Sequence, residues 1–319
     1  MATHNIPTGV VARDLVDIER YPIDDLTSPG GRELLARCNA DLAATGACQL
    51  TGFLRSSAID QLAEEAGALS DQGFVNEAVH NVYFEDVDAS IPQDDPRRMM
   101  QRASQSTVAY DMIPADAGIR ALYEWDAMLE FVGAALGKQP FYRNADPLGA
   151  LNLVYYKEGD ELGWHFDRAE FVVTLMLQPS SQGGDFEYVP NLRNELDENY
   201  PAVGRLLQGD MTDVIHLPST AGTLAFFRGR HSIHRVTPIA GDVLRTNAVL
   251  SFADKPDQQL NELTNTVQVG GIGPFGGRKP LCGAPVTDQG PRWLGEIVER
   301  HELPIAKNPS PVRSGSYLG

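Results

Sequence analysis

The stretch GWHFDRAEFVVTLMLQ, residues 163–178, places a histidine and an aspartate just ahead of a run of apolar and β-branched residues. His165 and Asp167 are two positions apart, so in an extended chain their side chains leave the same face and reach one point. The run that follows is typical of a buried strand. Because a metal ion is one such point, the pair indicates a metal site whose third ligand comes from another strand.

The composition limits the class of partner. The chain has 319 residues, of which 42% are hydrophobic, so it can bury a sizeable core. Its formal charge of −17 would repel a nucleic-acid backbone or an anionic membrane, which leaves small molecules as the expected partners. A homodimer is compatible with this composition.

Cysteine usage and the N-terminal segment indicate the compartment. Cys38, Cys48 and Cys282 are widely spaced and form no CxxC, so neither a disulfide framework nor a thiolate metal site is expected. The first residues do not combine a basic region with a long apolar one, and no apolar stretch is long enough to span a bilayer. The sequence therefore predicts a cytoplasmic protein.

The spacing of apolar residues and the residue composition divide the chain into three segments of one predicted domain, 1–319. Residues 1–145 place apolar residues mostly at helical spacing, including a helix predicted over 115–136. Residues 146–255 contain short β-rich runs separated by turns, which favours antiparallel strands in a sandwich or jelly roll. Residues 256–319 are expected to form a glycine-rich lid and a helix. The predicted fold is mainly β with a helical N-terminal half.

The third ligand is expected within RGRHSIHRVTPIAGDVLRTNAVLSF, residues 228–252, which contains two histidines. If Gly241 and Asp242 form a two-residue hairpin turn, His234 lies opposite Val249 and shares its face with the other inward positions. His231 has the opposite parity and is expected to be a structural histidine that hydrogen-bonds the polar insert, residues 191–213. The hairpin therefore selects His234 as the ligand.

Arg245 lies on the same face of this predicted hairpin. It is about 13 Å along the strand from His234, at ~3.3 Å per residue. A short dicarboxylate spans that gap, with one end on the metal and the other in a bidentate pair with the guanidinium.

Two histidines and one carboxylate on one side of a metal match the ligand set of non-haem Fe(II) oxygenases. Such a set leaves positions open for 2-oxoglutarate and O₂. Zinc is the main competing metal for these ligands. A zinc hydrolase has no use for a carboxylate clamp at the distance of Arg245, so Fe(II) is favoured, and a zinc hydrolase or isomerase remains an alternative.

The motif HFD at 165–167, followed by His234 and, after ten intervening residues, Arg245, resembles the HxD…H…R signature of the Fe(II)/2-oxoglutarate-dependent dioxygenase superfamily. More narrowly, residues 163–178, GGDFEYVPNLR at 183–193 and LAFFRGRHSIHRVTP at 224–238 resemble the BesD/HalD-type branch. That branch contains free-amino-acid halogenases and their hydroxylating relatives. The resemblance covers about residues 150–255.

This resemblance implies a double-stranded β-helix, the cupin-like jelly roll, with the cofactors Fe(II), 2-oxoglutarate and O₂. His165, Asp167 and His234 would be the iron ligands and Arg245 the anchor of the distal carboxylate of 2-oxoglutarate. By the same resemblance, Tyr156 would contact 2-oxoglutarate. Asn247, on the strand of Arg245, is expected to assist there.

The resemblance also implies the reaction and the substrate class. Halogenating members carry glycine or alanine at the position of Asp167, so Asp167 predicts hydroxylation, with a free amino acid or a small derivative as substrate. Arg102, within the basic segment 96–113, is expected to bind a substrate carboxylate unless that segment is a solvated helix face. Trp164 either lines the pocket or fills the core. A non-catalytic cupin-like receptor, a desaturase or cyclase, and a peptide hydroxylase are alternatives that would use the same residues.

Overall fold

The computed structural model describes residues 10–259 and shows a curled antiparallel sheet with most of its helices packed against one half. Within this range the α-helices are α1 (Ala12–Leu15), α2 (Pro29–Thr45), α3 (Ser56–Gly67), α4 (Gly118–Glu124), α5 (Asp126–Leu136) and α6 (Tyr200–Leu207). The strands are β1 (Ala47–Leu50), β2 (Phe74–His80), β3 (Gln101–Val108), β4 (Tyr142–Arg143), β5 (Leu151–Tyr156), β6 (Glu161–His165), β7 (Val172–Gln178), β8 (Gln182–Gly183), β9 (Phe186–Val189), β10 (Ile215–Leu217), β11 (Leu224–Phe227), β12 (Ile233–Val236), β13 (Ile239–Ala240), β14 (Arg245–Leu250) and β15 (Phe252–Ala253).

The main sheet has 11 strands in two halves that β3 joins. One half has the order β1-β11-β7-β14-β5, and the other has the order β6-β12-β9-β10. The first residues of β3 pair with β6 and its last residues pair with β5, while β2 pairs with β3 along the other edge. This arrangement confirms the predicted mainly β, jelly-roll fold with helices in the N-terminal half.

The largest core cluster fills the space between the helices and the first half of the sheet. Phe131 of α5, Leu153 of β5 and Phe226 of β11 are fully buried there. Each such side chain contributes about 1.5–3 kcal/mol by leaving water. Helix α2 begins where the Ser28 hydroxyl accepts a hydrogen bond from the Gly31 N–H at 3.0 Å, an N-cap that orients the helix on the sheet.

A second cluster of buried side chains lies under α6, on the outer side of β6 and β12. Trp164 and Phe166 of the 163–178 stretch belong to it, together with Val82, Val203 and Ile233. Because these apolar residues alternate with His165 along the chain, their burial orients His165 toward the interior of the sheet.

The predicted hairpin between His234 and Arg245 is wrong. Strand β12 pairs with β6 and β9, whereas β14 pairs with β5 and β7. The intervening residues cross from one half of the sheet to the other, and β13 pairs with β8 on the way. A turn-forming residue such as Gly241 predicts a local change of chain direction. It does not predict which half of the sheet each flanking strand joins.

Two helix predictions in the N-terminal half also need correction. Residues 101–108 form β3 and not a solvated helix face, because they are held between β2 on one edge and β5 and β6 on the other. The helix predicted over 115–136 is two helices, α4 and α5, separated by Trp125 with an extended backbone.

The predicted lid and C-terminal helix lie outside the described residues. Among residues 10–259, no helix has the length and hydropathy needed to cross a membrane.

Candidate metal centre

Pairing of β6 with β12 brings the two predicted histidine ligands together. His165, the last residue of β6, lies directly opposite His234 on β12. The two imidazole rings are 4.1 Å apart between centroids, and both side chains are buried. Two predicted ligands that are far apart in the sequence are thus directly opposite each other on paired strands.

A bulge in β6 sets the direction of His165. The pairs His165–His234 and Leu162–Val236 enclose three steps on β6 but two on β12, so β6 carries an extra residue. The extra residue lets Leu162 and His165 share the inner face despite their odd spacing. Bulges of this kind re-aim side chains next to functional sites.

Asp167 follows β6 and completes a compact triad. Its Oδ1 is 3.5 Å from Nε2 of His165, and its Oδ2 is 3.3 Å from Nε2 of His234. The ligand atoms of the three residues lie within 4.8 Å of one another. The backbone N–H of Asp167 donates to the carbonyl of Gly229 at 3.0 Å and fixes the chain beside the cluster.

Backbone carbonyls determine the tautomer of both histidines. Nδ1 of His165 lies 2.9 Å from the carbonyl of Gly163, and Nδ1 of His234 lies 3.0 Å from the carbonyl of Ser232. A carbonyl only accepts, so each Nδ1 carries the proton and each Nε2 presents a lone pair toward Asp167. This orientation is typical of metal-binding histidines.

The protonation state of His165 and the unpaired oxygen of Asp167 both favour binding of a cation. Burial lowers the pKa of His165, so this ring is neutral at pH 7. Oδ2 of Asp167 is buried and has no hydrogen-bond partner among the described residues. A divalent metal ion supplies the partner that this oxygen and the two Nε2 atoms need.

Arg245 is a buried cation on β14, in the other half of the sheet from the two histidines. It begins β14 opposite Tyr156, and its guanidinium carbon lies 5.2 Å from the centroid of that ring. Its Nε donates to the carbonyl of Gly184 at 3.1 Å. Within residues 10–259 no carboxylate lies within 4 Å of it. A buried guanidinium without an anion is costly, so the site suits an incoming carboxylate.

Tyr156 and Asn247 flank Arg245. The hydroxyl of Tyr156 donates to Oε1 of Gln105 at 2.7 Å, and burial raises the pKa of Tyr156 to about 12. Asn247 is two residues from Arg245 on β14, and its Oδ1 is buried with no hydrogen-bond partner in the described part of the chain. Both side chains therefore line the same region as the guanidinium.

The other two predicted site residues, Arg102 and Trp164, make contacts with residues outside the triad. Arg102 is half-exposed; it donates to the carbonyl of Gly159 at 2.8 Å and pairs with Glu161 at 3.2 Å. Trp164 packs in the cluster under α6, with the guanidinium of Arg235 4.6 Å from its ring centroid. That packing favours the core-filling interpretation of Trp164.

His231 is not part of the triad. Its Nε2 lies 3.2 Å from Glu195, in the polar segment after β9. The predicted hydrogen bond of His231 to that segment is confirmed.

The sequence does not predict that the rings of His80 and Phe84 pack against His165. His80 stacks on Phe84 at 4.4 Å, and both rings contact the His165 ring edge-on, at 6.1 and 5.7 Å between centroids. Phe84 has a left-handed backbone, with φ of 54°, a conformation that clusters at functional sites. No spacing in the sequence relates residues 80–84 to His165, so only the tertiary structure reveals this contact.

His80 makes the stability of the metal-free protein depend on pH. Burial, helped by the nearby His165, lowers the pKa of His80 to about 4 from 6.5. Because the folded pKa is depressed, the stability contribution is present above pH 6.5 and is lost as the pH falls toward 4. Between pH 7 and pH 5 this group should cost about 2 kcal/mol of unfolding free energy. Urea unfolding at both pH values measures it.

The matched variants for this prediction are His80→Phe and His216→Gln. His80→Phe should reduce the loss between pH 7 and pH 5 by about 2 kcal/mol and leave the part that is due to His165, whose pKa is also lowered by burial. His216 is largely exposed, so His216→Gln should leave the loss in place. An equal loss in wild type and His80→Phe would contradict the prediction.

Comparisons with known proteins identify the family. A model of the Halogenase D family matches residues 31–269. A search of curated proteins finds no significant match.

Solved structures that match this chain include a prolyl-4-hydroxylase from Pseudomonas putida, at 20% identity over 68% of this chain and 97% of that one, with a TM-score of 0.44. AviO1 from Streptomyces viridochromogenes Tue57 is 18% identical over 70% and 96%, with a TM-score of 0.48. The non-haem alpha-ketoglutarate-dependent epimerase SnoN from nogalamycin biosynthesis is 14% identical over 70% and 83%, with a TM-score of 0.47.

The family match spans most of the chain and includes the triad and Arg245. The chain belongs to the Halogenase D family, and it is an Fe(II)- and 2-oxoglutarate-dependent oxygenase.

Proposed function

We propose that this enzyme hydroxylates an aliphatic C–H bond of a free amino acid or a small amino-acid-derived metabolite, with decarboxylation of 2-oxoglutarate to succinate and CO₂. The observation that carries the proposal is the carboxylate of Asp167, which lies within 3.5 Å of Nε2 of both histidines. A carboxylate at this position takes the place that a halide would need. The bound iron supplies the activation of O₂ and the oxidation of the C–H bond.

In this proposal the triad holds the metal and Arg245 holds the cosubstrate. Nε2 of His165, Nε2 of His234 and the carboxylate of Asp167 are the ligands. The guanidinium of Arg245 binds the distal carboxylate of 2-oxoglutarate through two parallel N–H bonds, which lysine cannot reproduce. Asn247 offers its amide next to that carboxylate, and the ring of Tyr156 supports the guanidinium from one face.

Aromatic side chains shield the ligands from water. Phe186 stacks on His234 at 5.5 Å between ring centroids, and Phe227 meets the same ring edge-on at 4.7 Å. His80 and Phe84 cover His165. Excluding water strengthens the electrostatic contacts of the site and limits side reactions.

Arg102 is the proposed partner of the substrate carboxylate. Its pair with Glu161 is partly exposed, and exchanging such a pair for another carboxylate costs about 0–1 kcal/mol. Arg102→Gln should therefore raise the KM for substrate by about 10–100-fold and leave the KM for 2-oxoglutarate unchanged. Steady-state kinetics with each cosubstrate varied in turn measures both constants.

The control for Arg102→Gln is Arg13→Gln, which removes another exposed, ion-paired arginine on α1. It should change neither KM. An Arg102→Gln enzyme with the wild-type KM for substrate would remove Arg102 from the binding site.

The proposal is tested by succinate release from anaerobically purified, Fe(II)-loaded protein supplied with 2-oxoglutarate and O₂. A panel of free amino acids, their N-acylated forms and short peptides is screened, with mass spectrometry on each mixture. One free amino acid or small derivative should stimulate succinate release and gain one oxygen atom. Stimulation by peptides alone would contradict the substrate class, and no stimulation by any panel member would favour a receptor without turnover.

A further inference from the structure

A glycine lies directly against the carboxylate of Asp167. A Cβ atom added to Gly229 would fall on Oδ2 of Asp167, 2.6 Å from its Cγ and 2.8 Å from its Cβ. Real Cβ atoms do not approach other heavy atoms this closely. The backbone φ of Gly229 lies outside the left-handed region, so its conformation does not require glycine. Because Gly229 has no side chain, it leaves space for the carboxylate of Asp167.

We propose that Gly229 is a positioning residue that makes room for the carboxylate ligand, so that a side chain at 229 and a metal-bound carboxylate at 167 exclude each other. The inference rests on the proposed role of His165, Asp167 and His234 as metal ligands. It assigns to Gly229 a part in choosing the ligand set, because a chain with a larger residue there must give up the carboxylate.

Rotation of the Asp167 side chain does not relieve the overlap. Turning about the Cα–Cβ bond moves the carboxylate but leaves the Cβ of Asp167 2.8 Å from the added atom. Relief therefore needs a backbone shift. The backbone is held on both sides of this contact, since the Asp167 N–H donates to Gly229 at 3.0 Å and the Phe166 N–H donates to Val82 at 2.9 Å. A shift of the backbone at residue 167 that relieves the overlap carries the carboxylate away from the two histidines.

Cobalt(II) binding to the full-length protein tests the inference without turnover. Calorimetry gives the affinity, and the visible spectrum of bound Co(II) reports its ligand set. Gly229→Ala should weaken Co(II) binding as much as Asp167→Gly does, by at least about 10–100-fold, the range for losing a group that only orients a ligand. Its spectrum should match that of Asp167→Gly, because both variants lose the carboxylate.

A double-mutant cycle separates positioning from general distortion. In the Asp167→Gly background the overlapping atoms are absent, so Gly229→Ala should cause no further change in Co(II) affinity. Gly67→Ala is the matched control, because a Cβ at Gly67 meets nothing within 4 Å and its φ is ordinary. It should bind Co(II) as the wild type does.

Two results overturn the inference. One is wild-type Co(II) affinity and spectrum in Gly229→Ala. The other is an equal loss of Co(II) affinity when Gly229→Ala is introduced into the wild type and into Asp167→Gly. Failure of both the single variant and the double variant to fold counts as the same result. If only the single variant fails to fold and the double variant folds, the inference is supported, since removing the carboxylate restores the space. Because no substrate is used, a failure of the proposed hydroxylation leaves these outcomes unchanged.

Discussion

Asp167→Gly is expected to abolish hydroxylation, with kcat/KM falling by more than about 100-fold, the upper range for losing a group that merely orients a ligand. The carboxylate is the acidic member of the triad, and both of its oxygens lie within 3.5 Å of a histidine Nε2. Without it two imidazoles remain to hold the metal. Quantifying hydroxylated product and succinate at saturating 2-oxoglutarate measures the loss.

Glu170→Gln is the control for Asp167→Gly, because it removes an exposed carboxylate three residues away and should retain wild-type activity. Chlorination is not expected in Asp167→Gly, since halide transfer also requires the substrate carbon to be placed differently. Retention of full hydroxylation in Asp167→Gly would mean that Asp167 is not a ligand.

Arg245→Met is expected to raise the KM for 2-oxoglutarate by at least about 10–100-fold, the range for losing hydrogen bonds to a charged group. The same variant should leave the metal-free protein as stable as the wild type or more stable. The reason is that Arg245 is buried with no carboxylate within 4 Å among the described residues, and burial lowers its pKa by disfavouring the charged form. Thermal melting of the metal-free protein, beside kinetics, separates the two effects.

Arg245→Lys tests the geometry of the same contact. It keeps the positive charge but loses the two parallel N–H donors, so it should bind 2-oxoglutarate more weakly than the wild type. A normal KM for 2-oxoglutarate in Arg245→Met, or a marked loss of stability in the metal-free variant, would contradict the proposed role of Arg245.

The ligand set was predictable because strand parity and residue chemistry are local properties. His165 and Asp167 converge as their spacing predicts, and His234 joins them. The hairpin used to select His234 does not form, although His234 does lie beside His165 and Asp167. The inward direction of His234 depends only on its position within β12, which the wrong partner did not alter.

The long-range contacts of the site were not predictable from the sequence. The β6 bulge appears only when β6 and β12 are paired, because it is a difference in residue count between two strands. Gly229 looks like an ordinary turn glycine until Asp167 is placed beside it. The helix prediction for 96–113 failed because pairing on both edges of β3 decides the conformation of that segment, whatever its local propensity.

The central claim is that the carboxylate of Asp167 makes this member of the Halogenase D family an oxygenating enzyme. The most direct test is turnover of a stimulating substrate by the wild-type enzyme under ¹⁸O₂ in chloride-containing buffer, followed by mass spectrometry of the product and of succinate. The account predicts one ¹⁸O atom in the product, one in succinate, and no chlorine. A chlorinated product from the wild-type enzyme would contradict it.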